Sequence, residues 1–162
     1  MEPGAVDPEP VNVALVGPDD LADLLPLMRA YCTFYESDPA DDELRALATA
    51  FLDEGAGGTQ LIARGDSGQA LGHATMLWSW DTTLGERLAV MEDLFVTEEA
   101  RGQGVGAALI EACRRLAAER GIQWLAWETA PDNATAQRLY DGLAARAGTW
   151  LAYRLPTTDA AT

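Results

Sequence analysis

The sequence predicts an α/β fold of the α+β kind, in which helices pack on a mixed β-sheet. Segments with apolar residues at three- and four-residue spacing alternate with short extended segments, and Gly- or Pro-containing turns separate them. The 162 residues suit one domain, and 48% apolar against 23% charged residues is a globular balance. The predicted order of elements is β-α-α-β-β-β-α-β-α-β.

The first part of the chain predicts a tail, a strand and two helices. Residues 1–10 are rich in Pro and Gly and predict a disordered tail, and residues 11–16 predict a strand. Pro26 falls inside the first helical pattern and predicts a kink or a displaced helix start. The apolar face of that helix carries Leu21, Leu24, Leu25, Met28, Cys32 and Tyr35, and a second helix ending at Gly55 buries Leu44, Leu47 and Phe51.

The rest of the chain predicts five strands and two helices. Strands over 59–64, 69–80 and 86–96 precede a helix over 104–120, which Gly121 closes. A strand over 122–127, a helix capped by Asp132 or Asn133, and a strand over 149–155 follow. The inner face of that last helix carries Ala136, Leu139, Tyr140 and Leu143. We predict one domain over 11–155 and a C-terminal tail over 156–162.

Composition excludes several classes of protein. The net charge is −15 with eleven arginines and no lysine, which excludes a Walker A loop and a lysine Schiff base and argues against a nucleic-acid partner. The single histidine, His73, excludes multi-histidine metal sites, and we predict no metal. No apolar run is long enough to predict a membrane span. Cys32 and Cys113 lie far apart without CxxC spacing, which argues against a disulfide scaffold, so a reducing cytoplasm fits best.

A glycine-rich turn at a predicted strand–helix junction is the most specific signal. The strand ends in Met91-Glu92-Asp93-Leu94-Phe95-Val96, and Arg101-Gly102-Gln103-Gly104-Val105-Gly106-Ala107 opens the next helix. Successive N–H groups at a helix N-terminus favour an anion, usually a phosphate, and Arg101 could add a charge-assisted bond.

This turn has two competing functional interpretations, and a third in which its glycines serve only a tight turn. Gly102-x-Gly104-x-x-Ala107 fits the dinucleotide-binding pattern, with Glu128 as its ribose-binding acid. Against it, Thr97 to Arg101 separate the strand from the turn, the preceding strands are predicted to be antiparallel, and only 55 residues follow Ala107.

The other interpretation is a resemblance to the GNAT superfamily of acyl-CoA N-acyltransferases. Arg101-x-x-Gly104-x-Gly106 matches its [Q/R]-x-x-G-x-[G/A] signature, and Asn133-x-x-Ala136-x-x-Leu139-Tyr140 resembles its downstream run. The resemblance covers about nine-tenths of the chain. It departs after Tyr140, where relatives usually carry Gly-Phe and this chain reads Asp141-Gly142-Leu143-Ala144, which bears on the helix end and the last strand.

The resemblance implies a role for each matched residue. Acetyl-CoA would be the cosubstrate, with its diphosphate held by the turn (Arg101, Gly102, Gln103, Gly104, Val105, Gly106, Ala107). The main chain of Leu94, Phe95 and Val96 would pair with the pantetheine arm as an added strand. Asn133 and Ala136 would also contact the cofactor, and Tyr140 would protonate the departing thiolate.

Carboxylates and aromatic residues suggest the acceptor. An ammonium must lose a proton before it attacks a thioester, and Glu92-Asp93 resembles the diamine and polyamine acetyltransferase branch, so Glu92 is the preferred base and Asp93 is interpreted as structural. Adjacent strand residues point to opposite faces unless a bulge intervenes. The candidate acceptor pocket, between the first two helices and the sheet, comprises Tyr31, Tyr35, Glu36, Trp78, Trp80, Glu92 and Glu128.

The preferred hypothesis is an acetyl-CoA-dependent N-acetyltransferase that acts on the primary amine of a small cationic molecule by direct attack. A non-catalytic acyl-CoA sensor and, third, a dinucleotide-binding oxidoreductase remain alternatives. The predicted partner is a small-molecule amine, with no nucleic acid and no membrane. Relatives often form homodimers, although no residue of this chain indicates one.

Overall fold

Five strands form one mixed sheet in the computed structural model, which describes residues 11–157. The strands follow the order β1-β2-β3-β4-β5 across the sheet, with antiparallel neighbours from β1 to β4 and a parallel β4–β5 pair. The strands are β1 (Asn12–Leu15), β2 (Gly58–Arg64), β3 (Ala70–Asp81), β4 (Glu86–Val96) and β5 (Trp124–Ala126). The helices are α1 (Leu21–Phe34), α2 (Asp41–Ala50), α3 (Val105–Glu119) and α4 (Ala134–Asp141). The chain divides into two compact units that meet in sequence between Ala130 and Pro131.

Helices α1 and α3 pack on opposite faces of the sheet. Leu27 of α1 packs with Ile62 of β2 and Phe95 of β4. Leu109 of α3 lies close to Gly72 of β3, whereas His73, the next residue, points to the opposite face of the sheet. Strand residues alternate between faces, so His73 and Phe95 lie toward α1, and the even-numbered residues of β3 lie toward α3.

Local chemistry explains where α2 begins and where α3 ends. The Ala40 N–H donates to the Glu43 carboxylate at 2.7 Å, and three acidic residues in the first turn of α2 complement the helix dipole. Gly121 follows α3 with a φ of 72°, which fits the predicted C-terminal cap. Helix α3 buries six side chains: Val105, Leu109, Ile110, Ala112, Cys113 and Ala117.

Several sequence predictions are wrong in detail. Helix α1 starts at Leu21 and runs through Pro26, so the helix start is not displaced to Pro26, and the alternative of a kink there stays a prediction. Tyr35 follows the end of α1 and is 46% exposed. Leu47 is 45% exposed, and Ala48 takes its place in the core beside Leu44.

The C-terminal predictions differ most. Residues 149–155 form no strand, and their apolar side chains are exposed (Trp150, Leu151, Tyr153 and Leu155). A strand exists only when its backbone pairs, and these residues pair with no other strand of residues 11–157. Strand β5 is limited to three residues, and Leu143 lies beyond α4 and is 52% exposed. The predicted tail over 1–10 lies outside the described residues. Among the described helices, none is long and apolar enough to cross a membrane.

A close approach of β3 to β4 gives a stability prediction. A Cβ at Gly72 would lie 2.4 Å from the Phe95 carbonyl oxygen, which is backbone and cannot move aside. Gly72→Ala should therefore lower the free energy of unfolding by about 1–3 kcal/mol, the usual cost of overpacking. Chemical denaturation measures this change. Gly17→Ala is the control, because Gly17 has a φ of −105° and its nearest contact would be 3.6 Å away; an equal loss in both variants would contradict the prediction.

Candidate active site

A bulge interrupts β4 where β5 stops pairing with it. Met91 pairs with Met76 and Asp93 pairs with Thr75, so Glu92 is an extra residue without a partner on β3. Strand β5 pairs with β4 only up to Val90. From Met91 to Val96, that edge of β4 has no strand beside it within residues 11–157. An open edge of this kind can accept an extended ligand as an added strand.

The glycine-rich turn presents unpaired backbone N–H groups beside this open edge. Gly102 and Gly104 have φ values of 74° and 84°, a conformation that favours glycine. The first backbone bond of α3 runs from the Ala108 N–H to the Gly104 carbonyl at 3.0 Å, and no side chain caps the helix. The preceding N–H groups of the turn therefore have no helical partner.

Arg101 joins the turn to the end of β4. Its Nε donates to the Val96 carbonyl at 3.2 Å, and the guanidinium group is exposed. The remaining guanidinium N–H groups can bind an anion held by the turn. Gln103 is also exposed and donates through Nε2 to the Glu99 carbonyl at 2.7 Å.

An aromatic and acidic cluster lies on the α1 face at the bulge. The rings of Tyr31 and Tyr35 meet edge to face, 5.0 Å apart, and Tyr31 also contacts Phe95. Tyr31 is hydrogen-bonded to Asp93, and both Asp93 and Glu92 lie close enough to disfavour its ionisation. The structure thus brings together Tyr31, Tyr35 and Glu92, three residues that the sequence assigned to the acceptor pocket.

Burial sets the pKa values of this cluster. Burial raises the pKa of Asp93, although hydrogen bonds from Thr75 and Tyr31 partly oppose that shift. Burial, followed by the charge of Asp93, raises the pKa of Tyr31, which therefore stays protonated. His73 contacts Tyr31 and is 1% exposed, and burial lowers its pKa to about 4, so it is neutral near pH 7.

The two predicted pocket tryptophans, Trp78 and Trp80, do not join this cluster. Trp78 lies on the α3 face, where the Arg120 guanidinium stacks 4.4 Å from its ring centre. Trp80 is 60% exposed and lies under Arg87 at 5.2 Å. Alternation along β3 directs both indole rings to the face of the sheet opposite Tyr31. Each ring there stacks with an arginine. Glu36 and Glu128 are exposed, and Glu36 has a φ of 53°, which is rare for a residue with a side chain.

Helix α4 carries the remaining predicted residues. The Asn133 side-chain oxygen accepts from the Ala136 N–H at 3.2 Å, which confirms Asn133 as the helix cap. Ala136 and Tyr140 are partly buried. Tyr140 lies in the last turn of α4, one residue before the helix ends at Asp141.

Two buried polar residues were missed by sequence reasoning. Gln60 and Thr75 are 1% and 3% exposed, and the Gln60 Nε2 donates to the Thr75 hydroxyl at 3.2 Å. Both side chains point to the α1 face between apolar neighbours. A polar residue at a buried strand position was the available signal, since burying a polar group costs free energy unless it is hydrogen-bonded.

Comparisons with known proteins identify the family. The sequence model of the Acetyltransferase (GNAT) family matches residues 21–143. YhfO of Bacillus subtilis (strain 168), described as an uncharacterized N-acetyltransferase, is 28% identical over 131 residues, which span 81% of this chain and 87% of YhfO. The D-amino-acid N-acetyltransferase HPA3 of Saccharomyces cerevisiae is 40% identical over 82 residues, 49% of each protein. The structure of the aminoglycoside N-acetyltransferase AAC(6')-Iy in complex with CoA matches with a TM-score of 0.79 at 20% identity, and covers 98% of this chain and 100% of that chain.

The chain therefore belongs to the acetyltransferase (GNAT) family, and it is an acyltransferase. Its mixed five-stranded sheet with four helices is the GNAT fold. The antiparallel pairing from β1 to β4 is incompatible with a doubly wound dinucleotide-binding sheet.

Proposed function

We propose that this protein transfers an acetyl group from acetyl-CoA to the primary amine of a small cationic acceptor, and that residues 11–155 form one N-acetyltransferase domain. The observation that carries the proposal is the adjacency of two features. Unpaired backbone N–H groups lie at the N-terminus of α3, and the edge of β4 beside them has no neighbouring strand after Val90 within residues 11–157. The first suits a diphosphate and the second suits an extended arm that carries a thioester.

The turn fits the diphosphate of coenzyme A. No protein side chain accepts from the N–H groups of residues 103–107 within the described chain, and Cβ positions built at Gly102 and Gly104 meet nothing within 4 Å. Gln103, Gly104, Val105, Gly106 and Ala107 would hold the diphosphate, and Arg101 would add a charge-assisted bond. The main chain of Leu94, Phe95 and Val96 would bind the pantetheine arm.

The site's charge favours an amine that carries a positive charge. Glu92 and Asp93 lie beside two tyrosine rings, and the chain as a whole carries a net charge of −15. Carboxylates and aromatic faces together attract ammonium groups. The diamine and polyamine class of acceptor is therefore our preferred substrate class. Two unpaired thiols, Cys32 and Cys113, suit the reducing cytoplasm in which we place the reaction.

Each reacting proton has an assigned residue. Acetyl-CoA supplies an acetyl group activated as a thioester. Glu92 takes a proton from the acceptor ammonium, directly or through water, and the neutral nitrogen forms the new C–N bond as the C–S bond breaks. N–H groups of β4 stabilise the charge on the carbonyl oxygen. Tyr140 gives its proton to the thiolate and is restored by the proton that the attacking nitrogen sheds, so one proton is released overall.

An acceptor screen tests the proposal. Thiol release from acetyl-CoA should appear with diamines and polyamines and should be about tenfold slower or more with zwitterionic amino acids, because a free carboxylate would face Glu92 and Asp93. The panel should also include an aminoglycoside and a D-amino acid, the acceptor classes that the names of two relatives suggest. Acetyl-CoA without amine is the control. Release with amino acids alone would contradict the acceptor class, and no release with any amine would contradict the function.

A further inference from the structure

A chain of buried hydrogen bonds leads from β2 to the bulge. The Gln60 Nε2 donates to the Thr75 hydroxyl at 3.2 Å and lies 3.8 Å from the Met28 sulfur. Thr75 is the cross-strand partner of Asp93, and the Thr75 and Tyr31 hydroxyls both lie where they act as hydrogen-bond donors to the Asp93 carboxylate. The chain therefore crosses three neighbouring strands under α1.

The chemistry of these groups sets the direction of each bond. An amide NH₂ group only donates, so the Thr75 oxygen accepts from Gln60 and its one hydrogen is left for Asp93. Tyr31 donates to the same carboxylate. Two donors on one carboxylate favour its ionised form and hold its orientation. The Gln60 side-chain oxygen is also buried and has no hydrogen-bond partner within the described residues.

Each ionisable group that faces Asp93 can be named. Tyr31 of α1 is hydrogen-bonded to Asp93, and Glu92 precedes Asp93 on β4, whereas Tyr35 and neutral His73 contact Tyr31. Within residues 11–157 Asp93 has no ion pair: Arg29 of α1 pairs with Asp38 and Asp41, and Arg87 of β4 stacks on Trp80. The carboxylate is thus held in place with its charge uncompensated.

We propose that Gln60 and Thr75 are positioning residues that hold Asp93 as an acceptor-only carboxylate, which binds the ammonium group of the acceptor beside Glu92. The proposal rests on the proposed function and replaces the structural role that the sequence suggested for Asp93. Gln60 and Thr75 touch neither substrate nor cofactor. They act through the orientation and ionisation of Asp93.

Thr75→Val tests this inference, because it keeps the shape of the side chain and removes the hydroxyl. The pKa of Asp93 should rise by about one unit, a tenfold change in its proton affinity, because the ionised carboxylate loses one of its hydrogen-bond donors. The acidic limb of kcat/KM should move to higher pH by the same amount, because binding needs the ionised form. KM for the amine should rise about tenfold with little change in kcat. Thr75→Ser keeps the hydroxyl and should restore all three values.

Two further measurements separate positioning from packing. If Gln60 and Thr75 act through the same chain of hydrogen bonds, the double variant Gln60→Leu/Thr75→Val should shift the acidic limb of kcat/KM no further than Thr75→Val alone. Carbon-13 NMR of labelled Asp93 measures its titration without any turnover. An unchanged Asp93 titration in Thr75→Val, or a Thr75→Ser variant as impaired as Thr75→Val, would overturn the inference. If Thr75→Val shifts the Asp93 titration but the wild-type protein acetylates no amine, the proposed function alone would be overturned.

Discussion

Replacing Tyr140 by phenylalanine is expected to lower kcat by about 10²-fold or more while coenzyme A still binds. General acid catalysis contributes on this scale, and the change removes only the hydroxyl that protonates the thiolate. A phenol of pKa ~10 is a competent donor to a thiolate whose conjugate acid has a pKa of ~8.5. The aromatic ring remains in the last turn of α4, so the helix should persist.

The measurement is steady-state kinetics with the best amine of the screen, together with calorimetry of coenzyme A binding. Tyr153→Phe is the matched control, because that ring is 89% exposed and has no assigned role. A Tyr140→Phe enzyme whose kcat stays within about threefold of wild type would contradict the role of Tyr140. That result would also favour a thiolate that leaves without a protein acid.

Replacing Gly104 by valine is expected to weaken coenzyme A binding at least tenfold. Gly104 opens α3 with a φ of 84°, which a β-branched residue adopts only with strain. The backbone would relax and turn N–H groups away from the diphosphate. The loss of a single hydrogen bond to a charged group costs about 1.5–3 kcal/mol, and about 1.4 kcal/mol is a tenfold change in affinity.

Gly121 offers a matched control at the other end of the same helix. Its φ is 72°, so Gly121→Val carries a similar strain, roughly 1–2 kcal/mol of unfolding free energy. Both variants should lose stability to a similar degree in denaturation, but only Gly104→Val should lose affinity in calorimetry. Equal affinities in the two variants would show that the turn does not hold the ligand.

Local patterns predicted the elements that position the site. Strand β4 spans Glu86–Val96 as the alternation indicated, and α3 lies within the predicted range with Gly121 after it. These features depend on residues near one another in sequence: apolar spacing, the glycine-rich turn and a terminal glycine. The same is true of Asn133, whose short polar side chain caps α4.

Features that depend on distant partners were not predictable in the same way. Residues 149–155 are rich in the aromatic and apolar residues that strands favour, but composition does not supply a backbone to pair with. The bulge at Glu92 arises from how β4 registers against Thr75 and Met76 on β3. The Gln60–Thr75–Asp93 chain needs three strands in one register, which no single segment encodes.

In the proposed function, the N–H groups at the start of α3 hold a diphosphate and so place a thioester along β4. A crystal structure with coenzyme A tests it most directly. We expect the diphosphate within about 3 Å of the N–H groups of residues 103–107 and the pantetheine arm beside Leu94, Phe95 and Val96. A structure with the coenzyme bound elsewhere and this turn empty would contradict the account.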